Sequence, residues 1–474
     1  MTQVFTPTRP DDLSDILRWA ASNATALRVE GSDSKAGIGR PVPAEHVLSL
    51  TGFSGISQYE PNELVLTASA GTPLAEIEAL LARNGQMLAF EPPDYSRLLA
   101  APQTPPTAGA RDALNSLIPF MVRPFDRLRT HHERDQQVTV RPELVEGLVQ
   151  SIPNQTPGGT LGAILGGTLG GTLGGTVASN LSGPRRFLAG AARDHFLGFR
   201  AVNGRGEPFK AGGRVVKNVT GFDLPKLLAG SWGTLAALWE VTLKVVPVPE
   251  VTRTLLIFGL DDAAASRLMS AAVASAHVVS GAAHLPARVA ARSGVAGATG
   301  KPVTALRLEG PEPSVRHRIA GLKTLLVGGG QLEGADCDEL DSAASLALWR
   351  EIRDLALLDS GDAREIWRLS LPPATAPGVV AQIANAEPAV EWLQDQAGGA
   401  LWLSCPAGIS AEQIRSALLP GGGHATLWRA SAARRAEVPV FQPQPPALAA
   451  LTRRVKSSFD PRAVLNPGRM YAGI

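Results

Sequence analysis

Apolar positions in residues 1–95 switch between two periods. Leu13, Ile16, Leu17, Trp19 and Ala20 fall on a helical stripe, which predicts an amphipathic helix near 10–22. Short apolar runs predict strands near 26–30, 47–50 and 64–68, and 73–84 reads as a second helix closed by Asn84-Gly85. In FRAVNGRGEPFKAGG the Asn203-Gly204 pair is a hairpin signal, and ALWEVTLKVVPVP is a strand that Pro247 and Pro249 end. After Pro249 the pattern changes. Strands at 252–260, 303–310, 364–373, 399–406 and 424–430 interleave with helices at 261–276, 313–326, 342–358, 376–386 and 411–418. That alternation predicts an α+β region, an antiparallel sheet with helices on one face. A last helix at about 445–458 leads into the C-terminal tail.

Between these elements lie glycine-rich stretches without periodicity. In RVEGSDSKAGIGR (28–40), Gly31, Ser32, Asp33, Ser34 and Lys35 make a tight polar loop after a strand. Its amides, two hydroxyls and one cation suit a pyrophosphate. A plain surface connection is the alternative reading of this loop. GGTVASNLSGPRR (174–186) and GGRVVKNVTGFDLPKLLAGSWGTLAALWEVTLKVVP (212–247) likewise put glycine where a backbone can approach an anionic ligand closely. The simplest such ligand is a dinucleotide or another diphosphate. Neither the G-x-x-x-x-G-K-[ST] spacing nor a strand-following G-x-G-x-x-G is present, which argues against a P-loop and a Rossmann site.

Taken as a set, EGSDSKAGIGR (30–40), FEPPDY (90–95), TLGGTVASNLSGPRR (172–186), GAARDHFLGFRAVNGRGE (190–207), the 212–247 segment and FDPRAVLNPGRMY (459–471) resemble the flavin-binding domain of the vanillyl-alcohol oxidase-type (PCMH-type) FAD oxidoreductases. The closest resemblance is to the smaller FAD-binding subunits of bacterial glycolate oxidases (glycolate dehydrogenases). Residues 250–430 match only loosely. The resemblance implies an α+β fold with a two-part FAD-binding domain over 1–250, an α+β cap over 251–430, and a tail, 431–474, that returns to the flavin domain. It implies FAD as cofactor, and oxidation of a small 2-hydroxy acid by hydride transfer from the α-carbon to flavin N5. As partners it implies a larger FAD-binding subunit and an iron–sulfur subunit. The cofactor residues it points to are Gly31, Ser32, Asp33, Ser34, Lys35, Gly174, Gly175, Thr176, Ser179, Asn180, Gly183, Lys217, Asn218, Gly230, Gly233, Thr234, Glu240, Val241 and Asn466. Asn466 and Arg469 are also open to a second reading, as parts of a docking tail.

A site for such chemistry needs cations for the substrate carboxylate and a base for its hydroxyl proton. Arg185, Arg186 and Arg368 are the candidate cations, and His424, after three glycines, is the candidate base. A structural, hydrogen-bonded histidine is the alternative for His424. Trp367, Trp402 and Trp428 all fall in strands, as core aromatics or as a wall of the substrate pocket.

Composition narrows the picture. The 474 residues exceed what one core holds, and the net charge of +2 with dispersed Lys and Arg argues against nucleic acid. Two cysteines, Cys337 and Cys405, cannot supply the four ligands of an iron–sulfur cluster, and they form no disulfide framework. The opening MTQVFTPTRPDDLSDI lacks a basic-then-apolar pattern, so a cytoplasmic location is expected, peripheral to the inner membrane at most through partners. Residues 147–184 are uncharged, with glycine every four residues from 158 to 174, but nine glycines in the twenty residues 158–177 argue against a membrane helix. About 97–171 reads as an inserted segment. LGGT recurs three times in 165–176, and PFDRLR (124–129) and PELVEG (142–147) can be encoded by nearly reverse-complementary DNA. The Pro-, Gly- and charge-rich composition predicts a long mobile loop, and His131-His132 within it reads as a solvated pair. Three functions stay open at this point: a subunit of a glycolate-oxidising complex, an independent FAD-dependent 2-hydroxy-acid dehydrogenase, or a scaffold subunit that has lost flavin.

Overall fold

The helix Pro10–Ser22 forms where the apolar stripe predicts it. Pro10 starts it without wasting a backbone donor, Asp11 and Asp12 complement its first turn, and Leu13, Leu17 and Ala20 are buried. It covers one side of a parallel three-stranded sheet, β1 (Gln3–Phe5), β2 (Leu27–Glu30) and β3 (His46–Ser49), ordered β1-β3-β2. The structure, a computed structural model, describes residues 3–99, 171–215, 221–330, 336–358 and 364–474. The described residues fall within one compact unit. Most of the inserted segment, with His131 and His132, lies outside them, as do Lys217 and Asn218.

A second, antiparallel sheet has the order β4-β5-β9-β7-β8, from β4 (Ile56–Glu60), β5 (Val65–Ser69), β7 (Phe196–Asn203), β8 (Pro208–Gly212) and β9 (Ala236–Lys244). β6 (Gln86–Met87) and β10 (Val246–Pro247) make a short ribbon beside it. The helix Leu74–Arg83 buries Leu74, Ile77 and Leu81 in the same core as Leu66, Ala68, Leu173, Val177 and Val241.

Residues 251–429 build an eight-stranded antiparallel sheet ordered β14-β11-β13-β12-β16-β17-β15-β18. Its strands are β11 (Val251–Phe258), β12 (Gly281–Leu285), β13 (Val303–Gly310), β14 (Cys337–Leu340), β15 (Glu365–Ser370), β16 (Glu391–Asp395), β17 (Ala400–Cys405) and β18 (His424–Arg429). The expected helices are present, but not all on one face. Helices Asp262–Ala274, Glu312–Gly328 and Ala376–Ala386 bury their apolar sides on the face that carries Leu255, Ile257, Leu306, Leu369 and Leu401. The helix Ser342–Arg353 takes the opposite face: Leu348, Trp349 and Ile352 pack with Leu256, and Trp349 Nε1 donates to Thr254 Oγ1 at 2.9 Å. The period of two in a strand leaves every second residue for that face, and here it is apolar. The predicted 342–358 helix also stops early, because Leu355 turns to φ +57°. β12, β14 and β16 are absent from the sequence prediction. GAAHL is too small-sided, and CDEL and EWLQD too polar, to alternate visibly.

The inner face of the large sheet is where the N-terminal half meets it. Ile38, Tyr95, Leu98 and Leu181 join Trp402, Trp428 and Leu393 in one buried cluster. Each aliphatic side chain sealed there contributes about 1.5–3 kcal/mol. Trp367 points the other way, into the helix-covered face.

Candidate functional site

A cleft opens between the loop after β2 and the start of β9. The amides of Ser32, Asp33, Ser34 and Lys35 donate to no protein acceptor among the described residues. Asp33 sits at φ +55°, which turns successive N–H groups to one side, the geometry of an anion nest. Lys35 closes the loop. Its Nζ is buried, is 3.3 Å from Ser34 Oγ and has no ion-pair partner among the described residues. Burial pushes it down to about 8, with Asp94 opposing at longer range. Ser32, Ser34, Gly174, Gly175, Ser179 and Gly233 line the same cleft, with Leu50, Ala70 and Leu238 as its apolar wall. Glu30 also lines it and is raised to about 7, by burial first and by Asp33 second. Four free amides, two hydroxyls and an unpaired cation fit a diphosphate.

The glycines of 171–175 act differently from the expectation. Gly174 N donates to Ala70 O at 2.7 Å and Gly175 N to Thr172 Oγ1 at 3.3 Å, so these amides are spent on the protein. What glycine permits is close packing. A Cβ on Gly31 would stand 2.3 Å from Thr172 Oγ1, and one on Gly174 2.7 Å from Ala70 Cβ. The glycine run therefore forms the floor against which the loop 31–35 is pressed.

A second cavity adjoins the first, and Ser179 and Trp232 line both. Its walls come from both halves of the chain: Asn180, Arg186 and Gly230 on one side, and Arg368, Trp402, His424, Thr426 and Trp428 on the inner face of the large sheet. Arg368 lies opposite Thr426 in the β15–β18 register, two residues from the Ser370–His424 pair, so Arg368, Thr426 and His424 share a face. The Arg368 guanidinium lies 5.5 Å from the Trp402 ring centre and 6.0 Å from that of Trp428. Neither Arg186 nor Arg368 has a hydrogen-bonded or ion-paired carboxylate among the described residues. Arg186 is lowered to about 10 by burial and by the Arg368 charge, and Arg368 is lowered by burial. His424 is exposed at the rim of the cavity, and partial desolvation, then the charges of Arg368 and Arg186, hold it below its ordinary value.

Arg185 is not a third cation of this cavity. It donates to Glu309 through Nε at 2.8 Å and pairs with Glu91 at 3.1 Å, so its charge is already balanced. Several other predicted residues line neither space. Thr176 and Val241 are buried in the core, and Gly183 is packed against Glu91 O. Thr234 Oγ1 donates to Ser231 O at 2.7 Å, and Glu240 pairs with Arg200 at 3.1 Å. Asn466 lines the first cleft, but all its polar atoms hold backbone: Val29 N donates to Oδ1 at 2.8 Å, and Nδ2 donates to Trp232 O at 2.8 Å and Val29 O at 3.3 Å. Arg469 reinforces it by donating to Lys35 O at 2.8 Å. The tail thus clamps the loop from behind. Sequence reasoning missed Arg28, Thr172, Trp232, Gln442 and Gln444, which line the two spaces. Only Arg28, Thr172 and Trp232 fall inside the quoted glycine-rich segments.

A family model described as "FAD binding domain" matches residues 1–101. Glycolate oxidase subunit GlcE of Escherichia coli (strain K12) is 30% identical over 459 residues, covering 96% of this chain and 95% of that protein. Glycolate oxidase subunit GlcD of Bacillus subtilis (strain 168) is 36% identical over 96 residues, 20% of each chain. Among solved structures, 4-ethylphenol oxidase from Gulosibacter chungangensis, in its isoeugenol complex, matches with a TM-score of 0.62 at 12% identity, covering 99% of this chain and 89% of that one.

Proposed function

This chain belongs to the family of glycolate oxidase subunit GlcE, FAD-dependent oxidoreductases, and from that premise we propose that it is an FAD-binding subunit of a complex oxidising glycolate or a similar 2-hydroxy acid. Loop 31–35 would hold the diphosphate of FAD through its free amides, its hydroxyls and Lys35. FAD bound there would supply the acceptor for a hydride from the substrate α-carbon. Arg186 and Arg368 supply the positive charge that binds the anionic substrate, and Trp402 and Trp428 keep the Arg368 guanidinium in place. His424 takes the hydroxyl proton. Its lowered pKa keeps the imidazole neutral near pH 7, the state in which a ring nitrogen can accept. The observation that carries this reading is the pair of guanidiniums without a carboxylate, facing a histidine in a cavity beside the diphosphate cleft.

Onward electron transfer is assigned to partners, a larger flavin subunit and an iron–sulfur subunit, because two cysteines cannot ligate a cluster. Among the described residues no helix is long and apolar enough to cross a membrane.

The test is the visible spectrum of the purified chain before and after anaerobic glycolate. Flavin bands that bleach support oxidation on this subunit. Bound flavin that stays oxidised moves the chemistry to a partner, and a colourless protein after refolding with FAD leaves a scaffold. A second expectation concerns the tail. Asn466→Ala removes three bonds that fix Val29 and Trp232, so FAD affinity should fall about tenfold. The variant's glycolate KM, measured at saturating FAD, should stay within about twofold of the parent's, since a tenfold change would need about 1.4 kcal/mol.

A further inference from the structure

The second cavity has an uneven inventory of charge and hydrogen-bonding groups. No Asp or Glu is among the described residues that line it, while two guanidiniums and an imidazole are. The carboxylate of Asp395 acts on Arg368 only from beyond ion-pair distance. A further donor is also unmatched. Trp428 is 5% exposed, and its buried Nε1 has no acceptor among the described residues. Buried donors left without acceptors cost about 1–3 kcal/mol each, more when charged. Trp428 Nε1 is one such donor, and the half-buried guanidiniums of Arg186 and Arg368 face the same space without a carboxylate among the described residues, so a ligand rich in acceptor oxygens suits this cavity. One carboxylate carries a single negative charge, so a monocarboxylate leaves the pair of guanidiniums with a net positive charge in a partly dry space.

Room is not the constraint. The cavity, about 470 Å³, is lined by Gln442, Gln444 and Tyr471 as well as His424, and it is larger than a two-carbon acid fills. Taking the proposed oxidation of a 2-hydroxy acid as given, we infer that the preferred substrate carries a second carboxylate, so that Arg186 and Arg368 each meet an anionic group. The class is that of four- and five-carbon 2-hydroxy dicarboxylic acids. The carboxylate next to the reacting carbon and the distal one are then held at opposite ends, which fixes the α-carbon between them.

The experiment is a titration of the full-length protein, followed by intrinsic tryptophan fluorescence, since Trp232, Trp402 and Trp428 line the cavity. The probes are malate and 2-hydroxyglutarate against glycolate and 2-hydroxybutyrate, at fixed pH and ionic strength. The dicarboxylates are expected to bind about tenfold or more tightly, the worth of one additional charge-assisted hydrogen bond. Arg186→Gln and Arg368→Gln should each erase that gap. Arg186→Lys and Arg368→Lys keep the charge and should keep part of it, which guards against a Gln variant that fails to fold. Equal affinities in the parent protein overturn the inference, and so does a gap that survives in both Gln variants. Tighter binding and flavin bleaching by glycolate overturn it while leaving the glycolate reading intact. If no hydroxy acid of either class binds, both readings fall together.

Discussion

Lys35→Gln is expected to weaken FAD binding by about ten- to a hundredfold, the loss of one charge-assisted hydrogen bond worth about 1.5–3 kcal/mol. The same residue predicts an unusual pH dependence. Without a ligand, burial holds Lys35 at about 8, below its ordinary 10.5. A diphosphate beside Nζ favours the charged form and raises that value. FAD affinity should therefore be full below about pH 8 and fall above it, by up to tenfold per pH unit until the bound-state pKa is reached. Stability of the FAD-free chain runs the opposite way. Between about 8 and 10.5 the unfolded chain binds more protons at this lysine, so its contribution improves as pH rises. Glu30 adds a shallower step. It is raised to about 7 by burial and then by Asp33, and its carboxylate appears in the cleft as pH climbs through that value. Glu30→Gln should remove the step near 7 and leave the one above 8. Quenching of flavin fluorescence, titrated from pH 6 to 10, reads all of these. A flat profile, with Lys35→Gln matching the parent, would sink the assignment of Lys35 to the diphosphate.

That loop stood out because the role proposed for it is local: glycine, two serines and a lysine follow a strand, and the amides of Ser32 to Lys35 have no protein acceptor among the described residues. The α+β class and most elements were equally plain, since Leu13, Leu17 and Ala20, or Leu348 and Ile352, repeat at helical spacing. The second cavity was less plain. Its cations sit on a short helix, Arg186–Ala189, and on a strand more than 180 residues further along, and which side of β15 Arg368 takes depends on register. A shift of one residue would have turned Trp367 inward instead. Arg185 and Arg186 are adjacent and chemically identical, yet only Arg186 lacks a carboxylate partner among the described residues, and nothing in the dipeptide says which it would be. The deciding partners, Glu91 and Glu309, lie far away in the chain. The same limit applies to Asn466, whose role as a clamp depends on meeting Val29 and Trp232.

Arg307→Met is expected to cost about 3–5 kcal/mol of stability, because it breaks a buried ionic network from one side. Arg307 is fully buried and donates to both oxygens of Glu91, at 2.9 and 3.0 Å, while its guanidinium stacks 4.6 Å from the Trp349 ring centre. Arg185 bridges the same Glu91 to Glu309. Two carboxylates thus share two guanidiniums, and removing Arg307 leaves Arg185 to serve both. Burial alone would raise Glu309, but the bond from Arg185 and the charge of Arg307 bring it down to about 2. The sign follows: this contribution is complete above the ordinary value of 4.5 and drains away as pH falls toward 2. Urea denaturation at pH 7 and pH 3.5 should show a large gap between parent and variant at pH 7 and a smaller one at pH 3.5. The double variant Glu91→Gln/Arg307→Met removes charge from both sides, and it should recover part of the loss. Function should suffer with stability. Glu91 also accepts from the Arg185 amide at 2.8 Å, and so fixes the backbone one residue before Arg186. A network present only for folding would leave the second cavity alone. One that seats Arg186 would raise the hydroxy-acid KM of the Arg307 variant even at temperatures where it stays folded.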